Sequence, residues 1–285
     1  MRLMTSIVIL CLVAGGSATG QSKANDAAAH YNRGLELGKK GDLDGAIAEW
    51  REALRLKPDY AEAHNNIGVA LKGKGDLDGA IAEYREALRL NPDNSEAHNN
   101  LGDASKAKGD LDTAIAEYRK ALRLRLDFPE AHSNLGNALR RKGDVEGAIA
   151  EFKVALNQRP NFPEGHSNLG NALSQKGDLD GAIAEYREAL RMKPNYPEAH
   201  FNLGTALGQK GDLDGAIAEL REAVHLRPDY LGALYNLGRA LGLKGDLDGA
   251  IAAFQAALRL MPGDPQASER LNELQAKKAA RESKH

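Results

Sequence analysis

Three polar residue types return along this chain at a spacing of 34 residues, and each suggests a different chemistry. Histidine stands at His30, His64, His98, His132, His166 and His200, a set that invites metal ligation. Asparagine stands at Asn32, Asn66, Asn100, Asn134, Asn168, Asn202 and Asn236. A side-chain amide offers both donor and acceptor, so such a row could hydrogen-bond the backbone of an extended peptide whatever its sequence. Aspartate follows glycine in seven Gly-Asp pairs, from Gly41-Asp42 to Gly245-Asp246, and repeated carboxylates raise the question of acid–base work.

The elements that hold these residues follow from the repeat. The stretch Gly75 to Tyr84 recurs seven times without insertion or deletion, so the chain is a stacked-repeat protein. Counted from Ala27, the units are 27–60, 61–94, 95–128, 129–162, 163–196, 197–230 and 231–264. Each carries two apolar patterns of helical period: in the fourth unit Ala131, Leu135, Ala138 and Leu139, then Val145, Ala148, Ile149, Phe152, Ala155 and Leu156. Gly143 is suited to end the first helix and Asp144 to cap the second, which stops before Pro160. Small residues such as Gly136, Ala138, Ala148 and Ala155 let the helices approach, with Phe152 as the filler. No unit buries its faces alone, so stability depends on neighbours and the ends need caps.

This architecture decides among the chemistries. Neighbouring helices lie about 8–10 Å apart, whereas zinc needs nitrogen ligands at about 2.0–2.1 Å. The histidines therefore read as buried spacers rather than ligands. If they pack neutral, charging them near pH 5–6 weakens the stack. The Gly-Asp carboxylates are helix starts. No nucleophile elbow, phosphate loop or HExxH is present, and no enzyme activity, metal or cofactor is expected.

The units resemble tetratricopeptide repeats: the second supplies His64, Ile67-Gly68, Leu71, Ala80, Tyr84, Ala87 and Pro92 at the family's positions. Departures are histidine for the opening aromatic, with Leu234 in the last unit, Arg33 for leucine, Ser105 at an apolar place, and Leu126 for the closing proline, which would let that helix run on. The run Ala131-His132-Ser133-Asn134-Leu135 is also similar to repeats of O-GlcNAc transferase, whose asparagines hold target peptides, without a catalytic half following. The resemblance implies an all-α, right-handed α-α superhelix with the first helices lining a concave groove. It places Asn66, Asn100, Asn134, Asn168 and Asn202 there, with Asn137 and Asn171 three residues on. Lys106 and Arg140 could draw an acidic segment, and Tyr31, Phe201 and Tyr235 could clamp apolar side chains of a ligand. The expected function is binding of an extended peptide or partner protein, as adaptor or assembly factor. The alternative is a scaffold assembling through its convex surface or terminal repeats.

Composition agrees with a thin helical stack: 42% hydrophobic but only 5% aromatic residues. A net charge of −2 with interleaved signs argues against nucleic acid as partner. Residues 1–20, with Arg2, the apolar run Ile7 to Val13 and Ala18-Thr19-Gly20, read as a signal peptide, giving a periplasmic or secreted protein; an uncleaved membrane tether is the alternative. Residues 21–26 form a polar lead-in, 265–281 a capping helix with Leu271 and Leu274 inward, and 282–285 a disordered tail. The lone Cys11 falls in the leader, which excludes disulfides from the mature chain.

Overall fold

A computed structural model describes residues 13–283. Among these the regular structure is α-helical throughout. The helices are α1 (Val13–Lys39), α2 (Leu43–Leu56), α3 (Ala61–Gly73), α4 (Leu77–Leu90), α5 (Ser95–Ala107), α6 (Leu111–Leu124) and α7 (Pro129–Lys142). They continue with α8 (Val145–Gln158), α9 (Pro163–Lys176), α10 (Leu179–Met192), α11 (Pro197–Gln209), α12 (Leu213–Leu226), α13 (Leu231–Lys244), α14 (Leu247–Leu260) and α15 (Pro265–Glu282). Odd-numbered helices up to α13 are the first of each repeat and even-numbered ones the second. α1 runs unbroken through residues 21–26. The first twelve residues of the expected leader, and residues 284–285 of the tail, lie outside the described residues. No described helix is long and apolar enough to cross a membrane.

The turn inside each repeat is built as its residues dictate. Gly41, Gly75, Gly109, Gly143, Gly177, Gly211 and Gly245 all take φ of 83–95°, the left-handed region that only glycine enters at no steric cost. That conformation lets the next N–H turn back: Asp42 N donates to Leu37 O at 3.0 Å, and Asp76 N to Leu71 O at 2.9 Å. The same aspartates then cap the second helix. Asp42, Asp76, Asp110, Asp144, Asp178, Asp212 and Asp246 each accept at 2.9–3.0 Å from the backbone N–H three residues on.

Each second helix is 14 residues long, α6 included. Leu126 therefore does not let α6 run on. The Arg125 guanidinium lies 3.5 Å from the ring centroid of buried Phe128, which anchors the loop and ends the helix without proline.

The filler residues Trp50, Tyr84, Tyr118, Phe152, Tyr186, Leu220 and Phe254 are all buried. Most reach a glycine of the preceding helix: a Cβ on Gly68 would lie 2.6 Å from Tyr84 Cε1, and one on Gly102 2.7 Å from Tyr118 Cε1. Glycine there is a requirement of space.

The described chain forms two compact units, one up to Ala138 and one from Leu139. In the first, Ala46, Ile47, Trp50, Ala63, Ile67 and Ala70 make one cluster, and Ala80, Tyr84, Leu101 and Ala104 another. In the second, one cluster runs from Ala182 and Tyr186 through Leu203, Leu220 and Leu237 to Leu274. α15 closes that core with Ala267 and Leu274 buried, Leu271 half-buried against it, and its N-terminus capped by Asp264 on Ala267 N at 2.7 Å.

Candidate functional site: the polar face of the first helices

Asparagines at the sixth place of the repeat sit on first helices, half-buried from Asn66 onward. They form rungs between consecutive repeats. In the first unit Asn66 Nδ2 donates to Tyr31 Oη at 3.0 Å, Asn100 Nδ2 to Asn65 Oδ1 at 3.1 Å, and Asn134 Nδ2 to Asn99 Oδ1 at 3.2 Å. These partners all occupy the fifth place of the repeat before. In the second unit the partner shifts to the ninth place: Asn202 Nδ2 donates to Asn171 Oδ1 at 2.9 Å and Asn236 Nδ2 to Thr205 Oγ1 at 3.0 Å. One N–H of each amide is thus committed to packing. Among the described residues the carbonyl oxygens of Asn66, Asn100, Asn202 and Asn236 accept no hydrogen bond and are fixed in direction by the bond their own nitrogen makes, whereas that of Asn134 accepts from Lys106. Asn137 and Asn168 are half-buried on α7 and α9.

The two cations singled out from sequence sit in different surroundings. Lys106 Nζ donates to Asp103 Oδ1 at 3.0 Å and to Asn134 Oδ1 at 3.2 Å. Asp103 also accepts from Tyr118 Oη at 2.6 Å and lies 3.6 Å from Lys72 Nζ, so a carboxylate, two ammonium groups and a phenol share one half-buried cluster. Arg140 Nη1 reaches Gln175 Oε1 at 3.4 Å. Lys106 is thus paired with a carboxylate, whereas the contact of Arg140 is with a neutral amide.

The three aromatics are placed one in the first unit and two in the second, each against a partner at the end of a repeat. Tyr31 stacks on Tyr60 with centroids 4.7 Å apart, Phe201 on Tyr230 at 4.9 Å, and Tyr235 Oη donates to Asp264. Tyr60, Phe128, Phe162, Tyr196 and Tyr230 are residues that sequence reasoning missed. Each has a cation three residues earlier lying over its ring: Lys57 at 4.5 Å, Arg125 at 3.5 Å, Arg159 at 5.3 Å, Lys193 at 4.5 Å and Arg227 at 4.8 Å. A signal existed. In the two repeats without the aromatic the cation goes too, leaving Asn91 with Asn94 and Met261 with Asp264, and there the last residue caps the next helix instead.

Five of the histidines do more than fill space. His30, His64, His98, His166 and His200 each place Nδ1 at 2.6–2.7 Å from the carboxylate of Glu49, Glu83, Glu117, Glu185 and Glu219, nineteen residues on in the second helix. The ring's other nitrogen faces the carbonyl of Pro92 at 3.0 Å from His98, Pro160 at 3.2 Å from His166 and Pro194 at 2.9 Å from His200. An imidazole with an acceptor at both nitrogens satisfies both only as the doubly protonated cation. This pairing, too, was written in the repeats: the seventh replaces histidine and glutamate together, by Leu234 and Ala253, both buried. Among the described residues no group of three or more histidine, cysteine, aspartate or glutamate side chains could hold a metal ion.

The fold defines a helical-repeat protein. Family profiles described as "TPR repeat" match residues 103–143, 136–177 and 170–211, and others described as "Tetratricopeptide repeat" match 31–95, 83–116 and 205–265. The chain belongs to the tetratricopeptide repeat family. No curated protein matches it. Among solved structures it is similar to MamA, at 28% identity over 57% of this chain and 95% of that one, with a TM-score of 0.52. YrrB, described as a TPR protein with an unusual peptide-binding site, matches at 24% identity over 65% of this chain and 95% of its own, TM-score 0.53. PilF of Pseudomonas aeruginosa matches at 23% over 76% and 97%, TM-score 0.66. The last two likenesses are of fold.

Proposed function

We propose that this protein is a non-enzymatic adaptor that binds an extended peptide or partner protein along its first helices. The observation that carries the reading is the asparagine row, in which Asn66, Asn100, Asn202 and Asn236 are each held through their amide nitrogen by the preceding repeat while the carbonyl oxygen accepts no hydrogen bond among the described residues. Acceptors fixed in advance lose little freedom on binding, so they suit the N–H groups of an extended chain independently of its side chains. The similarity of the repeat text to that of O-GlcNAc transferase, and the peptide-binding site described for YrrB, fit the same mode of action. Export belongs to the proposal and rests on residues 1–20; an N-terminus at Gln21 in protein recovered from its host would bear it out.

Changing Asn66, Asn100 and Asn202 together to Ala tests the binding reading against a crosslinked partner from the host. Capture should fall while helicity is retained. Asn65→Ala with Asn99→Ala keeps every row oxygen and removes only the acceptors that fix Asn100 and Asn134, so it should weaken capture less than the triple variant. Equal capture by the triple variant and the parent overturns the asparagine row as the binding surface.

A further inference from the structure

The sixth repeat departs from the others at its filler. Where six repeats carry Trp50, Tyr84, Tyr118, Phe152, Tyr186 or Phe254, this one carries Leu220. A leucine leaves unfilled the space a ring would occupy, and a pocket of about 190 Å³ opens beside it. Its floor is Gly204, Gly208, Ala216 and Leu220, the two glycines adding no side chain of their own. Its rim is polar, formed by Thr205 of α11 and by Asn236 and Arg239 of α13. The rim therefore belongs to the same first-helix face as the asparagine row.

Two neighbouring features give the pocket a direction. Leu243, one turn beyond Arg239 on α13, lines it with 73% of its surface exposed, the large apolar residue at a place where other repeats have Lys39, Gly73, Ala107, Arg141, Gln175 or Gln209. Arg239 is exposed and makes no ion pair among the described residues, unlike Lys106 in its cluster. A second cavity of about 290 Å³, lined by Gly238, Gly242, Phe254 and Leu274, meets the first at Arg239 and Leu243. Asn236 has bonded Thr205 and keeps its carbonyl oxygen free.

We infer that this pocket is the specificity site of the binding face and takes an apolar side chain of leucine or phenylalanine size, next to a carboxylate that pairs with Arg239. The inference rests on the peptide-binding reading. Size sets the side chain: an apolar cavity of about 150 Å³ already admits benzene, so 190 Å³ holds an isobutyl or benzyl group. Charge sets the neighbour, because an unpaired guanidinium at a polar rim favours a carboxylate, either an acidic side chain or a chain terminus. The ligand's amide N–H then meets Asn236 Oδ1.

The test uses the full chain labelled with ¹⁵N, the Gly204, Gly208 and Gly242 amides as reporters, and N-acetyl-leucine and N-acetyl-phenylalanine as probes. Ligands of about a dozen heavy atoms should bind with Kd of about 1 mM. The corresponding carboxamides, and the Arg239→Gln variant with the acids, should bind about two- to fivefold more weakly. Leu220→Phe restores the ring the other repeats carry and should abolish the shifts with helicity unchanged. Gly208→Ala gives a second route, since its new Cβ would meet only Ala216 Cβ at 3.6 Å, and it should weaken binding without disturbing the fold. No saturable shift with the parent chain overturns the site, as does binding that survives both substitutions. Either result leaves the asparagine reading standing, because that is decided by partner capture. Probe binding lost in Leu220→Phe while host-partner capture is unchanged overturns the pocket's role in recognition.

Discussion

Val69 leaves the Tyr84 hydroxyl without a hydrogen-bond partner. In two other repeats the residue fifteen before the filler accepts its proton: Asp103 from Tyr118 at 2.6 Å and Asn171 from Tyr186 at 2.8 Å. Val69 cannot, and Tyr84 Oη is buried with nothing to bond. Burial accordingly pushes the Tyr84 phenol far above its ordinary pKa, with the Asp103 charge adding to the rise. A buried unsatisfied hydroxyl costs about 1–3 kcal/mol, whereas deleting one partner of a satisfied pair removes about 1 kcal/mol. Tyr84→Phe should therefore be neutral or stabilising, and Tyr118→Phe and Tyr186→Phe destabilising by about 1 kcal/mol or more. Urea unfolding of the three variants decides the order.

Protonation of His200 should strengthen the protein. Burial lowers the pKa of His200, but the Glu219 carboxylate and the Pro194 carbonyl raise it by more, so it stands above its ordinary 6.5. Stability from such a group is full below pH 6.5 and is lost as pH climbs through the raised value. Glu117 is the complementary case. Burial raises its carboxyl, the hydrogen bonds from His98 and Lys120 lower it by more, and its contribution is full above 4.5 and lost as pH falls through the depressed value. The melting temperature should thus be higher at pH 6 than at pH 8, by about 2–4 °C for each kcal/mol gained. Neutral spacers predict the reverse. Glu219→Gln should flatten this rise, and a melting temperature equal or higher at pH 8 refutes it.

The cation-over-ring hinge makes a separate prediction. Phe128 is buried with the half-buried Arg125 over its ring, and Arg125 Nη1 also reaches Glu96 Oε1 at 3.4 Å, so both anchor the loop between α6 and α7. Phe128→Ala should cost about 3–5 kcal/mol from lost burial, and Arg125→Ala about 0.5–2 kcal/mol from the lost cation–π contact and the packing of its stem. Thermal melts of both check the ranking.

Helix pairs, turns and caps were readable because they are local: glycine and aspartate act on their own backbone within a few residues, and seven copies repeat the signal. The row of asparagines was readable as a row. What its amides do was not, since the bonds from Asn100 to Asn65 and from Asn134 to Asn99 join consecutive repeats and exist only once first helices lie side by side. Two long pairings were nonetheless encoded as joint replacement within the chain, histidine with glutamate at Leu234 and Ala253, and cation with ring at Asn91 and Asn94. The Leu220 pocket was hidden for another reason. Leucine satisfies the apolar pattern as well as an aromatic does, and only packing reveals the missing volume.

The lysines that end five of the first helices set the register between repeats more than they stabilise them. Lys74 pairs with Asp44, Lys108 with Asp78, Lys210 with Asp180 and Lys244 with Asp214, while Lys176 reaches Glu146 at 2.8 Å and Lys278 of α15 reaches Asp248 at 2.5 Å. In every case the acid lies thirty residues back, in the first turn of the previous repeat's second helix, where the helix dipole already favours a negative charge. These pairs are solvent-exposed, so each contributes no more than about 1 kcal/mol and is screened by salt. Lys210→Glu puts like charges together and should cost up to about 1 kcal/mol. Asp180→Lys removes the same attraction, and it also sets an adverse charge at a helix start. The double exchange should recover the pair but not that dipole term, landing between parent and single variants. Urea unfolding at low and high salt checks this: the differences should shrink at high salt, and single variants that stay equally destabilised there would mean that packing, not charge, joins these repeats at this edge.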